Sequence, residues 1–189
     1  MKVKDIVKLC GKLLDFDFDQ TVFDNADNEL IEQALISDKR LRLLTDCVIL
    51  CEKELACDYL PLTYLQTFPA NIAPYNSFLK TVHEAVKVTD EYGDEVSFKY
   101  TPDSLIADTK GKMIVTYNYR PETKTFCDEL EAGSCKMDER VFAYGAIAEY
   151  MFLTNNSDEA AMWDKRYKDL IEVILFCNRS LKIKSRRWL

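Results

Sequence analysis

At 189 residues, 48% hydrophobic and 30% charged, the chain can bury an ordinary core as one domain and is too short for a string of modules. Five Gly and five Pro exclude a collagen-like or low-complexity chain. The net charge of −7 is unevenly placed: residues 179–189 carry Arg179, Lys182, Lys184, Arg186 and Arg187 and no acid, leaving 20 bases against 32 acids, or −12, in the first 178.

An acidic body disfavours duplex DNA as a ligand, because phosphate neutralisation needs clustered cations. No apolar run reaches the roughly 18 residues of a membrane helix. The N-terminus alternates charged with apolar residues and has no secretory apolar core, so synthesis in the cytoplasm is expected. Seven cysteines are an odd number, and without an export signal they read as reduced thiols.

The first element is a short amphipathic helix over residues 5–14, with Ile6, Val7, Leu9, Cys10, Leu13 and Leu14 as its stripe. Asp15, Phe16, Asp17, Phe18 and Asp19 then alternate strictly. With no Gly turn in calcium-loop spacing, they read as a solvated connection.

A long helical pattern follows over residues 25–57, its apolar face running through Leu30, Ile31, Ala34, Leu41, Leu44, Val48, Cys51 and Leu55. Asp24 or Asn25 suits its cap, with Asp27 and Glu29 in its first turn. Ser37, Asp38 and Lys39 are a place for it to break in two. Cys47 and Cys51, four apart on that face, read as small apolar core residues rather than metal ligands.

After Asp58 the period changes from 3.6 to 2. Val82, Val86 and Val88 lead into a turn at Tyr92, Gly93 and Asp94, and Val96, Phe98 and Tyr100 lead out of it. A second turn at Thr109 to Lys112 precedes Met113, Val115, Tyr117 and Tyr119, and Pro121 ends the region. The expectation is a small antiparallel sheet over about 59–120.

Helices return over about 137–178. Val141, Tyr144, Ala148, Met151 and Phe152 line the first, which Ala143, Gly145, Ala146 and Ala148 keep slim. Ser157 reads as the cap of the second, whose stripe is Trp163, Tyr167, Leu170, Ile171, Ile174 and Cys177. The fold class is therefore α+β, mainly helical. N- and C-terminal helices (about 5–57 and 137–178) pack together around an inserted antiparallel β region. One domain over 1–178 is expected, followed by an extended basic tail over 179–189.

Catalytic signatures are thin. His83 is the single histidine, in a strand pattern with no oriented nucleophile, and reads as structural or exposed. Phosphate-binding glycine loops and zinc-protease motifs are absent from the sequence. The acid pairs Asp90 and Glu91, Asp94 and Glu95, and Glu129 and Glu131 fall at turns rather than in a marked cleft. Sheet aromatics could stack bases, but the acids around the strands oppose it. No enzymatic activity, cofactor or metal is expected. The tail alternates Leu181 and Ile183 with Lys182 and Lys184 and ends in Arg186, Arg187, Trp188 and Leu189. An extended segment ending in Arg and Trp reads as a docking element for a partner protein ahead of a frayed terminus, with nucleic-acid contact by its five bases as a third reading.

Ala143 to Tyr150 (AYGAIAEY), Glu159 to Lys168 (EAAMWDKRYK) and the terminal Lys184 to Leu189 (KSRRWL) resemble the C-terminal half of tailed-bacteriophage head–tail adaptor proteins, also called connector or head-completion proteins. The resemblance covers about 50 residues. It implies a virion neck protein that forms a ring, usually dodecameric, beneath the portal. DNA passes through the ring without sequence-specific binding, and a tail or second-ring protein attaches to it. It further implies that Leu181, Lys182, Ile183, Lys184, Arg186, Arg187, Trp188 and Leu189 dock on the portal, and that no residue is catalytic. A −12 body suits a conduit that must not bind DNA. The other reading open to the residues is a small cytosolic interaction or regulatory module without catalysis.

Overall fold

The computed structural model describes residues 1–24, 28–132 and 137–178. They form α1 (Val3–Leu13), α2 (Gln20–Asp24), α3 (Asn28–Ser37), α4 (Lys39–Glu54), β1 (Leu62–Phe68), β2 (Ile72–Pro74), β3 (Val82–Asp90), β4 (Phe98–Tyr100), β5 (Ser104–Ala107), β6 (Met113–Tyr119), α5 (Glu139–Leu153) and α6 (Ser157–Asn178). The fold is α+β and mainly helical, with the β region inserted between N- and C-terminal helices. The chain divides into two compact units. One comprises Met1, Val3–Val48 and the described residues after Ala132; the other comprises Lys2 and Ile49–Ala132.

In the helical unit, α1 buries Val3, Ile6, Val7 and Cys10, close to the expected stripe, while Leu13 at its end is exposed. The Asp15–Asp19 segment is a connection, but only its acids are solvated. Asp15 takes a left-handed φ of 54°, and Phe18 is buried. Phe16 packs edge-on against both Phe18 and Tyr150, at 5.7 Å each. A residue in the left-handed region redirects the chain so that alternate side chains turn inward. Asp19 then opens α2, its carboxylate accepting from the Thr21 amide at 3.0 Å. The sequence pattern does not reveal α2, and Asp24, expected as a cap for the next helix, is its last residue. Asn25 and Asp27 lie outside the described residues.

The long pattern does break, at Asp38, whose carboxylate accepts from the Arg40 amide at 2.8 Å and caps α4. Asp138 caps α5 in the same way, accepting from the Arg140 amide. The α5 helix is buried on nearly every side: Val141, Phe142, Ala143, Gly145, Ala146, Ile147, Ala148, Tyr150 and Met151 are all inside. Its small residues let α1 and α6 approach closely. The Cys10 thiol reaches the Ala143 carbonyl at 3.7 Å, and Tyr144 meets the Trp163 ring at 5.3 Å. Phe152, expected on that inner stripe, is 62% exposed instead. Asn155, with φ of 62°, makes the break before α6. That helix begins at Ser157, and the cap position falls one residue earlier, where the Asn156 carbonyl accepts from the Ala160 amide at 2.9 Å.

In the β unit the antiparallel strands form two sheets of three, in the orders β1–β6–β3 and β2–β5–β4. Both contribute to one core built on Phe68, Ala73, Val88, Leu105, Met113, Val115 and Tyr117. The turn at Asp90 to Asp94 forms as expected: Gly93 has φ of 92°, and the Asp90 carboxylate accepts from the Tyr92 and Asp94 amides at 2.9 Å each. The hairpin that it opens is brief. After the Val96 amide bonds the Val88 carbonyl at 3.0 Å, the chain leaves for the second sheet, and β3 takes β6 as its partner instead. Strand β1 pairs with β6 in unbroken register from Leu62 opposite Tyr119 to Phe68 opposite Met113. Strand β3 shifts register twice along the other edge of β6.

Candidate functional site

In the helical unit α6 carries one continuous apolar face and three large apolar side chains on the opposite, mainly charged side. At 3.6 residues per turn, Ala160, Trp163, Tyr167, Ile171 and Ile174 share one side, and all are buried. Met162, Val173 and Phe176 share the opposite side and are 45%, 59% and 63% exposed. Leu170, expected in the inner stripe, is half-buried at its margin, and the side chain of Cys177 lies outside the described residues. Lys165, Asp169 and Glu172 stand exposed among Met162, Val173 and Phe176. Arg166 lies over the Trp163 ring at 4.8 Å, and Lys168 pairs with Asp164 at 2.7 Å. The end of α5 adds exposed Phe152 and Leu153 to the unit's apolar surface. A helix meeting its own core on one side and water on the other normally carries polar residues outside.

The side of the unit held by α4 is charged and tightly tied. Arg40 pairs with Asp38 at 3.4 Å and lies over the rings of Phe16 and Phe18 at 5.1 and 5.9 Å. Cys47, buried as expected, has its thiol pushed up to about 12 by burial and by the nearby carboxylates of Glu149 and Asp46. A thiol held protonated is a packing group rather than a nucleophile.

The tail residues expected to dock, Leu181, Lys182, Ile183, Lys184, Arg186, Arg187, Trp188 and Leu189, lie outside the described residues. His83 is exposed on β3, and its Nδ1 accepts from Arg120 Nε at 3.4 Å. With Tyr75, Phe78, Lys80 and Tyr100 it borders an open hollow of about 460 Å³. The aromatics thus gather as base stacking would need, but Lys80 is tied to Glu122 at 2.7 Å rather than free for a phosphate. Among the carboxylates, Asp90 serves its turn and Glu95 pairs with Lys87 at 3.5 Å. Among the described residues, no group of three or more His, Cys, Asp or Glu side chains is placed to hold a metal. None of the described helices is long and apolar enough to cross a membrane.

One site in the β unit escapes sequence reasoning. Glu52, near the end of α4, is fully buried. Its Oε1 accepts from the Glu131 and Ala132 amides, at 2.5 and 3.2 Å, and its Oε2 has no partner among the described residues. The Glu131 carboxylate bonds Lys124 at 2.6 Å and lies 3.8 Å from Lys80. Burial pushes the Glu52 carboxyl up, and Glu131 adds to it; the two amides and Lys124 offset only part. Partial burial also works against Glu131, but Lys124, then Tyr119 and Lys80, outweigh it and hold that carboxyl below the ordinary range. The signal available in sequence was a carboxylate on the margin of an apolar stripe, beside Cys51 and four residues after Val48.

No family model matches the chain, and no curated protein sequence matches it.

Proposed function

We propose that the chain is a structural subunit of a tailed-bacteriophage neck, a head–tail adaptor that assembles into a ring beneath the portal. The ring would pass DNA and offer a platform for tail attachment. The observation that carries this reading is the set of large apolar side chains exposed on the outer side of α6. Met162, Val173 and Phe176 lie exposed opposite the helix's own core, and in this reading a second copy of the chain would cover them. A contact between that face and a different patch on the next copy is heterologous, the kind that closes into rings. The three runs of resemblance in the sequence supply the family. The −12 balance of the first 178 residues suits a wall that repels phosphate. In this reading the basic tail, with Arg186, Arg187 and Trp188 as its anchors, attaches the ring to the portal, and the protein resides in the virion neck.

The test is the mass of the purified assembly, alone and with portal protein. A ring-sized species is expected for the wild type, and Val173→Asp or Phe176→Asp should abolish it while leaving helix content unchanged. A wild-type chain that stays monomeric even with portal would sink the ring and favour a small interaction module. Deleting residues 179–189 should leave ring formation intact and remove portal attachment; unchanged attachment refutes the role given to the tail.

A further inference from the structure

The segment from Pro121 to Ala132 closes the β unit, and its fastening is built from two carboxylates. The chain enters this unit at Ile49, three residues before Glu52, and leaves it after Ala132. Glu52 takes the amides of Glu131 and Ala132, so it ties the entering helix end to the departing segment. The segment has further holds. Lys124 and Lys80 pair with Glu131, Lys80 also pairs with Glu122, and Lys2 makes a strand bridge with Glu129. The Thr125 amide and hydroxyl bond the Asp128 carboxylate at 2.6 and 2.9 Å.

We propose that this strap is a two-proton clamp, closed when Glu52 carries a proton and Glu131 has lost its own, and loosened when either condition fails. The argument rests first on burial. A carboxylate with one oxygen unpartnered and no solvent contact is costly when ionised, and a proton on Oε2 removes that cost while Oε1 keeps both amides. Glu131 is the converse, since its ion pairs with Lys124 and Lys80 require it ionised. The groups that face Glu52 are Lys124 and Glu131 on the strap, Tyr119 at the end of β6, and Lys80 behind Glu131.

The signs follow from linkage. Glu52 binds its proton more tightly in the closed strap, so its contribution is full below the ordinary carboxylate value and is lost as pH rises through the closed-state value. Glu131 binds its proton less tightly when closed, so its contribution is full above the ordinary value and is lost as pH falls through the closed-state value. Closure is therefore strongest near the ordinary Glu value of about 4.3 and declines on both sides.

Amide hydrogen exchange on the full-length chain tests the clamp, read as protection factors at Glu131 and Ala132 with the Val115 amide of the sheet core as the reference for global opening. Relative to Val115, protection of the strap amides should fall on each side of the maximum by up to about tenfold per pH unit. Glu52→Gln keeps an acceptor for both amides but cannot titrate, and it should abolish the alkaline decline and leave the acid one. Glu131→Gln should abolish the acid decline alone. Strap amides that follow Val115 across the whole range overturn the proposal, as does an alkaline decline that survives in Glu52→Gln. Should Glu52→Gln fail to fold, a wild-type strap with no alkaline decline relative to Val115 overturns it equally.

Discussion

The ring of Phe18 fills the space that a side chain at position 11 would need: its Cδ2 and Cε2 lie 2.7 Å from where a Cβ on Gly11 would sit. This contact explains a glycine inside α1, where it otherwise costs helix stability. The Phe16 amide also bonds the Gly11 carbonyl at 2.8 Å, so the chain folds back over the end of the helix at that point. Gly11→Ala should lower stability by about 1–2 kcal/mol. Overpacking costs about 1–3 kcal/mol, and the better helix propensity of Ala offsets somewhat under 1. Denaturant midpoints measure it. Phe18→Leu, which shortens the obstructing ring, should recover part of the loss in the double variant, and strictly additive losses would refute the contact.

Tyr117 is fully buried in the β core, yet its hydroxyl is bonded: it donates to Gln66 Oε1 at 3.2 Å and accepts from the Lys80 amide at 3.3 Å. Phe78 meets its ring edge-on at 4.9 Å. Tyr117→Phe keeps the ring and takes the acceptor from the Lys80 amide, while Gln66 Oε1 keeps the Leu79 amide at 2.9 Å, so a loss of about 1 kcal/mol is expected. Tyr117→Ala should cost about 3–5 kcal/mol by also opening a cavity. A Tyr117→Phe midpoint equal to that of the wild type in chemical denaturation would show that the hydroxyl contributes nothing.

The two faces of α6 predict a separation of effects. Trp163→Ala, on the inner face against Tyr144, should cost about 3–5 kcal/mol of folding stability. Phe176→Ala, on the outer face, should change folding of the isolated chain by no more than about 0.5 kcal/mol, while weakening assembly by more than about 1 kcal/mol. Melting of dilute protein and sedimentation at high concentration read the two quantities separately.

Cys47 predicts an alkaline limit. Its thiol is raised in the fold, so its contribution to stability is full below the ordinary thiol value of about 8.5 and is lost as pH rises toward about 12. Tyr117, Tyr119 and Tyr150 are raised by burial as well and add to the same decline. The decline should therefore be shallower in Cys47→Ala than in the wild type. At pH 8 a thiol reagent should modify half-buried Cys57 and Cys127 in the native protein and reach Cys47 only on unfolding.

Much of the helical unit was legible because its side chains follow a 3.6-residue period. Ile6, Val7 and Cys10 on α1, and Trp163, Tyr167, Ile171 and Ile174 on α6, could be placed inside from spacing alone. Asp38 was legible as a break because a short acid at a helix junction competes well for the next amides. Phe18 was not, since an Asp–Phe alternation looks the same whether it is solvated or wraps a helix end. The outer side of α6 was equally obscure: Met162, Val173 and Phe176 look like ordinary helix residues until the inner face is known to be satisfied without them.

Local periodicity and turn chemistry thus determined the α+β class, the position of the β insertion, the turn at Asp90 to Asp94 and the uneven charge of −12 and +5. Tertiary structure decided which strands pair, because Val82 to Val88 fit β6 across the core better than they fit the strand that follows the turn. It also brought Glu52 and Glu131 together across 79 residues of sequence. The physical reason is common to both. Alternation gives each strand or helix a face but no partner, and the choice of partner depends on long-range burial that no local window contains.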